Sequence, residues 1–474
     1  MSDDAPELLN FIDGDFHPSA SDHWIDDLAP ATGRLIARIP CSDSTDIDTA
    51  VAAASSALPE WAALSHEERA VWLDRIADAL EERAEDIAEL ESLDTGKPIT
   101  LARDVDAKRS VSNFRFFAEQ VKEFTAETFE MRDATNHVVY KPGGVAALIT
   151  PWNLPLYLLS WKVAPAIGMG NTVVCKPSEL TPLTANLLAE VIAETGLPDG
   201  VFNLVHGTGE HAGAPLVAHD DVRLISFTGG TDTGARVAAS AAAGFKKLSL
   251  ELGGKNSTIV FADADMESTI PGVVRAGFLN QGQVCLCGSR ILVERSIYND
   301  FRDRFLNAVE NMAVGDPSDP DTELGALISP EHRDKVAGYI ELAQEEGGTV
   351  VCGGGAPEGI PEEFAGGNWL APTVIDGLAS DSRCSTEEIF GPILPVLTSP
   401  SIEDSIAFVS QRAKPLALYV FTENADVEAK VIAETTSGGV CVNAILWHIT
   451  SPNLPFGGVG PSGTGAYHGR ASFE

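Results

Sequence analysis

Between residues 65 and 93 the apolar positions Leu73, Ile76, Ala77, Leu80, Ala84 and Ile87 recur at intervals of three and four, the spacing that gathers side chains on one face of a helix. Ser65 followed by Glu68 predicts a capping box at its start, and Asp94-Thr95-Gly96 predicts its stop. A second helix is expected from Leu101 to Glu123. The texture then changes to short apolar runs set between helical patterns: VAALIT (145–150), NTVVCK (171–176), VFNLV (201–205), RLISF (223–227) and LSLEL (248–252). Strands alternating with helices predict a parallel sheet covered on both faces. Ligands of such sheets bind beyond the carboxyl ends of the strands. That selects Pro151-Trp152-Asn153, the stretch from Lys176 to Glu179, Gly207-Thr208-Gly209 and Thr228-Gly229-Gly230 as candidate site segments. A second α/β unit is expected from Gly253 to about residue 440.

The chain has 474 residues, beyond the size at which one core keeps growing, so two domains are expected. Asp and Glu number 69 against 32 Lys and Arg, a formal charge of -37 spread along the chain. Such a field repels nucleic acid and anionic membranes, so neither is expected as a partner; it also suits adaptation to high salt, where self-repulsion is screened. No apolar run approaches the ~20 residues needed to cross a bilayer, and the start MSDDAPELLN has no basic or apolar leader segment. Seven scattered cysteines argue against a disulfide framework. A cytoplasmic protein is the expectation.

The stretch NQGQVCLCGSR (280–290) brings Cys285 and Cys287 close together among glycines and polar residues. A structural zinc site needs a second ligand pair that the chain lacks, so no metal is expected, and redox pairs are spaced CxxC. A nucleophile remains. At neutral pH a free thiol is only a few per cent ionised, so a nucleophilic cysteine needs a base, a positive charge or a helix N-terminus. Glu251, which closes an apolar run before Gly253-Gly254, is a candidate partner. The glycine turns at 207–209 and 229–234 could receive pyrophosphate at a helix N-terminus, although neither matches GxGxxG.

Taken together, TPWNLPL (150–156), GNTVVCKPSELTP (170–182), FTGGTDTG (227–234), LELGGKN (250–256), NQGQVC (280–285), EEIFGP (387–392) and LPFGGVGPSG (454–463) resemble the aldehyde dehydrogenase superfamily, from about residue 10 almost to the end. The texture is similar to the hydroxymuconic and aminomuconic semialdehyde branch, and the ending to the fatty and aromatic aldehyde enzymes. The resemblance implies an α/β fold with a Rossmann-type NAD-binding domain (1–123 and 142–252), an α/β catalytic domain (253–440) and small oligomerisation or bridging segments (124–141 and 441–474). A homodimer or homotetramer is implied as well. Cys285 would be the nucleophile, Asn153 and the Cys285 backbone N–H the oxyanion donors, and Glu251 the base that hydrolyses the thioester. NAD, favoured over NADP by Glu179, would be held by Ile149, Trp152, Lys176, Glu179, Gly209, Gly229, Gly230, Leu252, Glu388 and Phe390. Leu156, Trp161, Val284, Leu286, Trp447 and Phe456 would line an apolar aldehyde pocket, while Arg109 matches a carboxylate-binding arginine of the semialdehyde branch. That branch's other arginine, shortly before LPFGG, has no counterpart in the stretch 444–450, and Gly230 stands where the family commonly has Ser. Two further readings stay open at this point: transfer of the thioester to coenzyme A, against which Glu251 counts, and a Cys-Glu esterase or amidase, which would not need Lys176, Glu179, Glu388 and Phe390.

Overall fold

In the computed structural model, residues 5–411, 416–446 and 451–473 are described. The five predicted strands Val145–Ile149, Thr172–Lys176, Phe202–Leu204, Val222–Thr228 and Lys247–Glu251 pair in parallel, in the order 247, 222, 145, 172, 202. Asn10–Ile12 and Asp15–His17 extend one edge and Gly463–Thr464 the other, all antiparallel. The far C-terminal segment, expected to bridge or oligomerise, thus first returns to the edge of this sheet. Strands Val145–Ile149 and Thr172–Lys176 are buried along their whole length, which explains their unbroken apolar character.

The second unit is a seven-stranded sheet in which Ser257–Val260, Ile291–Glu294, Thr373–Asp376, Ile393–Ser399, Ala417–Phe421 and Gly439–Val442 run parallel and Thr349–Cys352 closes one edge antiparallel. The hairpin Thr128–Glu130 with Thr135–His137 stands apart and exposed. Among the described residues no helix is long and apolar enough to cross a membrane.

Two helical expectations are corrected. The span from 65 to 93 is two helices, His66–Glu82 and Ala84–Thr95, because Arg83 leaves helical geometry (φ -102°, ψ 15°) while the apolar period continues across it. The capping box of Ser65 with Glu68 and the left-handed Gly96 stop stand as expected. The span from 101 to 123 begins with a π-helical turn, Ala102–Ala107, before the regular helix Lys108–Glu123. The wider turn keeps Ala102, Asp106 and Ala107 all buried, an insertion that a 3.6-residue period cannot register.

Candidate active site

A cleft of about 550 Å³ lies beyond the carboxyl ends of the first sheet and reaches the loop from residue 279 to 290. The strand Val145–Ile149 leads into Thr150-Pro151-Trp152-Asn153, and Pro155 at the first helical position starts the helix Pro155–Gly168. Asn153 is buried; its side-chain N–H donates to the Gln283 carbonyl at 2.8 Å, while the side chain of Asn280 donates to the Asn153 carbonyl at 2.9 Å. An amide has two N–H donors, so among the described residues one remains to meet a ligand.

The loop carrying Cys285 departs from ordinary backbone. Asn280, Gln281 and Gly282 lie successively at φ 53°, 58° and 70°. Left-handed geometry costs a non-glycine residue about 1–2 kcal/mol. Side chains hold it: Gln281 donates to the Ala326 carbonyl at 2.8 Å, and the Gln283 side-chain oxygen accepts from the Ile328 N–H at 3.1 Å. Gly282 is obligatory, since a Cβ there would strike the Gly391 carbonyl. Cys285 is partly exposed, whereas Cys287 is buried with its thiol 3.8 Å from the Leu279 carbonyl. Burial, then the charges of Glu251 and Glu388, push the Cys285 thiol up from its ordinary pKa.

Glu251 ends the strand Lys247–Glu251 at register with Thr228. It is buried, and among the described residues neither carboxylate oxygen has a hydrogen-bond partner. Burial holds its pKa well above the usual carboxylate range, opposed by the charge of Lys162. Lys162, on an otherwise apolar helix, donates to Ser226 Oγ at 2.8 Å and to the Tyr467 hydroxyl at 2.9 Å.

At the other end Lys176, buried, pairs with Glu179 at 3.0 Å. Burial lowers the lysine's pKa and Glu179 works against that. Gly209, Gly229 and Gly230 line the cleft, and Gly230 precedes the helix Thr231–Ala243 with no side-chain cap on its free N–H groups. Space for a Cβ is open at Gly209 and Gly230. Glu388 accepts from the Gly254 N–H at 3.1 Å, and a Cβ on Gly253 would collide with its carboxylate. Trp152 meets Phe390 edge-on at 5.4 Å, and Phe390 sits at φ 62°. His332, brought down to about 4 by burial, donates from Nε2 to the Phe390 carbonyl at 2.7 Å. A cradle of open glycines, an uncapped helix N-terminus and a carboxylate beside a lysine fit a dinucleotide.

Ile149, Leu252, Val284 and Leu286 line the cleft, as do Trp161 and Phe456. Leu156 does not. It is fully buried on the opposite side of its helix, with its N–H on Glu91 Oε1 at 2.8 Å, while Leu154, Tyr157, Leu158 and Trp161 face the cleft. Helical geometry separates position 156 from that face. The Trp161 ring is stacked with Tyr157 at 5.5 Å and with His468 at 3.8 Å. Arg109 is not part of the lining; its guanidinium stands 5.7 Å from the Tyr157 ring centre, behind the wall. Trp447 lies outside the described residues. Tyr157, Lys162 and Tyr467 also line the cleft and were not anticipated; only Lys162, the lone charge in PLYLLSWKVAPA, carried a signal in the sequence.

The model of the aldehyde dehydrogenase family matches residues 16–474. The chain is 45% identical to a 2-aminomuconic semialdehyde dehydrogenase from Mus musculus (98% of this chain, 96% of that one). It is 44% identical to a 2-hydroxymuconic semialdehyde dehydrogenase from Pseudomonas sp. strain CF600 (99% and 97%). PnpE from Pseudomonas sp. WBC-3 superposes with a TM-score of 0.95 at 40% identity (98% of this chain, 95% of that one), and a structure of PnpE in complex with nicotinamide adenine dinucleotide matches equally well.

Proposed function

Because this chain belongs to the aldehyde dehydrogenase family, we propose a division of labour in which Cys285 is the nucleophile, Asn153 and the Cys285 N–H hold the oxyanion, and Glu251 is the base. The overall reaction is NAD-dependent oxidation of an aldehyde to a carboxylic acid. The observation that carries the assignment is that one cleft is lined by the partly exposed Cys285, by Asn153 and Glu251, and by the Lys176–Glu179 pair.

Cys285 attacks the aldehyde carbon as a thiolate after its proton has passed to solvent, and the carbonyl oxygen becomes an oxyanion facing the second Asn153 N–H and the Cys285 N–H. The first Asn153 N–H, fixed on Gln283, keeps the second from rotating away. NAD, which Lys176, Glu179, Gly209, Gly229, Gly230, Glu388 and Phe390 would hold, would supply the acceptor for the hydride lost from the former aldehyde carbon. Collapse leaves an acyl thioester on Cys285. Glu251, once ionised, takes a proton from water as the water attacks that thioester, releasing the carboxylic acid and the thiol. Glu179 accepts from ribose hydroxyls and repels a 2′-phosphate, which favours NAD over NADP.

The substrate we infer is a flat, conjugated aldehyde, with semialdehyde acids of the muconic type first in line. The names of the relatives support this, as does the aromatic wall of Tyr157 and Phe456. Burial pushes Tyr157 up to about 12, so its hydroxyl stays protonated and, backed by Arg109, can meet a carboxylate. Assay of an aldehyde panel with NAD and NADP, covering aliphatic, aromatic and acid semialdehydes, tests the reading. Preference for acid semialdehydes that disappears in Arg109→Ala supports it; aromatic aldehydes turned over equally by wild type and variant would assign specificity to the apolar wall alone. Turnover in Cys285→Ala would overturn the chemistry.

The protein assembles as a homodimer or homotetramer in this reading. Support comes from the outward face of helix Thr231–Ala243, where Ala235, Ala239, Ala242 and Ala243 are exposed and lead to Phe245, 96% exposed, and from Phe129 and Met131 on the exposed hairpin. Seven free cysteines support a reducing, cytoplasmic setting.

A further inference from the structure

The nucleophile loop has little regular structure to hold it, yet three consecutive carbonyls are pinned from one direction. Asn256 donates one side-chain N–H to the Cys285 carbonyl at 2.7 Å and the other to the Cys287 carbonyl at 3.0 Å. Tyr419 donates its hydroxyl to the intervening Leu286 carbonyl at 2.7 Å. The Asn256 side-chain oxygen in turn accepts from the Ala417 N–H at 2.8 Å, where the strand Ala417–Phe421 begins. All the hydrogen-bonding capacity of this amide except one oxygen lone pair is used, and Asn256 is 1% exposed. Val284, Cys285 and Leu286 line the cleft, whereas Asn256 and Tyr419 do not. The carbonyls are therefore drawn away from the substrate, toward the second sheet.

We propose that Asn256 is a positioning residue for aldehyde oxidation: by clamping the Cys285 and Cys287 carbonyls against the second sheet, it sets the direction in which the Cys285 N–H meets the substrate oxygen. The inference rests on the assignment of Cys285 as nucleophile. The link is peptide geometry. The Cys287 N–H donates to the Val284 carbonyl at 2.9 Å, closing a tight turn around Cys285. All peptide bonds here are trans, so the Val284 carbonyl and the Cys285 N–H point in opposite directions. Fixing that turn fixes the N–H. Asn256 holds the carbonyl of Cys285 itself, inside the turn, and the carbonyl of Cys287 at its end. Gly254 makes room, since a Cβ there would press on the Asn256 side-chain oxygen and the Cys285 carbonyl. Serine is too short to span both carbonyls, and aspartate would face them with a charge that accepts rather than donates.

The decisive comparison sets aldehyde turnover against alkylation of Cys285 by iodoacetamide in Asn256→Ala and Asn256→Ser. Both reactions use the thiol, but alkylation develops no oxyanion. With NAD binding retained, kcat should fall at least ~10-fold, since small misplacements of reacting groups cost up to ~10²-fold, while the alkylation rate stays at the wild-type value. Tyr419→Phe, which removes one of the three pins, should show the same split to a smaller extent and decides the matter if the Asn256 variants do not fold. Turnover and alkylation falling in parallel, or neither falling, would overturn the clamp. Persistent turnover in Cys285→Ala would instead overturn the assignment of the nucleophile, an outcome separate from these.

Discussion

Asn153 donates a side-chain N–H to the Gln283 carbonyl across 2.8 Å, joining the turn that follows strand Val145–Ile149 to the loop that presents Cys285. The donor expected to stabilise the oxyanion is thus anchored by the same backbone that carries the proposed nucleophile. Asn153→Ala should lower kcat by ~10²–10³, the usual cost of one oxyanion donor, with little change in NAD affinity. Asn153→Asp should be as poor, because an ionised carboxylate donates nothing. Steady-state kinetics beside NAD titration by fluorescence check both, and an equal loss of NAD affinity would count against the assignment.

Glu251 is buried and, among the described residues, neither of its oxygens has a hydrogen-bond partner; its pKa is raised well above the usual carboxylate range. In the free enzyme the base form is populated only as pH rises through that elevated value. Wild-type kcat, where hydrolysis limits, should therefore climb with pH over a range where an ordinary glutamate is already ionised. Glu251→Gln should lose this rising limb and show a stoichiometric burst of NADH followed by slow turnover. A variant with an unaltered pH profile would remove Glu251 from the hydrolytic step.

A Cβ at Gly230 meets no atom within 4 Å, and the residue sits at φ -68°, ψ 147°, extended geometry that any residue adopts. Gly230→Ser should fold normally, cap the helix Thr231–Ala243 and add a hydroxyl at the proposed pyrophosphate seat. Stability should rise by a few tenths of a kcal/mol, the usual difference between Ser and Gly as caps, and NAD should bind more tightly. Thermal melts and calorimetry would show it; weaker NAD binding would mean that the cofactor needs the backbone bare at this point.

The strands of the first sheet were legible because burial on both faces leaves unbroken apolar runs, and the site segments because parallel strands deliver ligands to their carboxyl ends. What escaped had no local signature. The π-helical turn at Ala102–Ala107 is one extra residue in an otherwise ordinary pattern, and Leu156 differs from Tyr157 only by a helical angle that the motif TPWNLPL does not reveal. Asn256 and Tyr419 act on the Cys285 loop from 29 and 133 residues away along the chain. Cys287, two residues after the proposed nucleophile, contributes its carbonyl and N–H to the loop while its thiol is buried.

The formal charge of -37 leaves a large excess of like charge on the surface, and several arginines and lysines are already committed to exposed pairs such as Arg115 with Asp78. Raising salt weakens both the pairs and the repulsion. Exposed pairs contribute ~0–1 kcal/mol each, so the uncompensated excess should dominate, and Tm should rise as KCl goes from about 0.1 M to about 1 M and the Debye length falls from ~10 Å to ~3 Å. A falling Tm would show that the pairs outweigh the excess.

A buried acidic cluster gives the opposite handle, stability against pH. Asp27 and Asp94 lie side by side with Glu91 and Asp106, and Lys97 is the ammonium in contact, 2.9 Å from Asp106 and 3.6 Å from Glu91. Burial raises Asp27 to about 7, and burial, eased by Lys97, raises Glu91 to about 7. A carboxyl whose folded pKa exceeds its unfolded value contributes its full stability below the unfolded pKa, and that contribution is lost as pH rises through the folded one. Between about pH 4.5 and 7 each such group should erode stability by up to ~1.4 kcal/mol per pH unit. Asp27→Asn keeps the shape but cannot ionise, so its Tm should exceed that of wild type at pH 8 and converge with it near pH 5. Chemical denaturation at the two pH values would measure this, and a variant less stable than wild type at pH 8 would mean that Asp27 is held as a carboxylate by something other than its neighbours here.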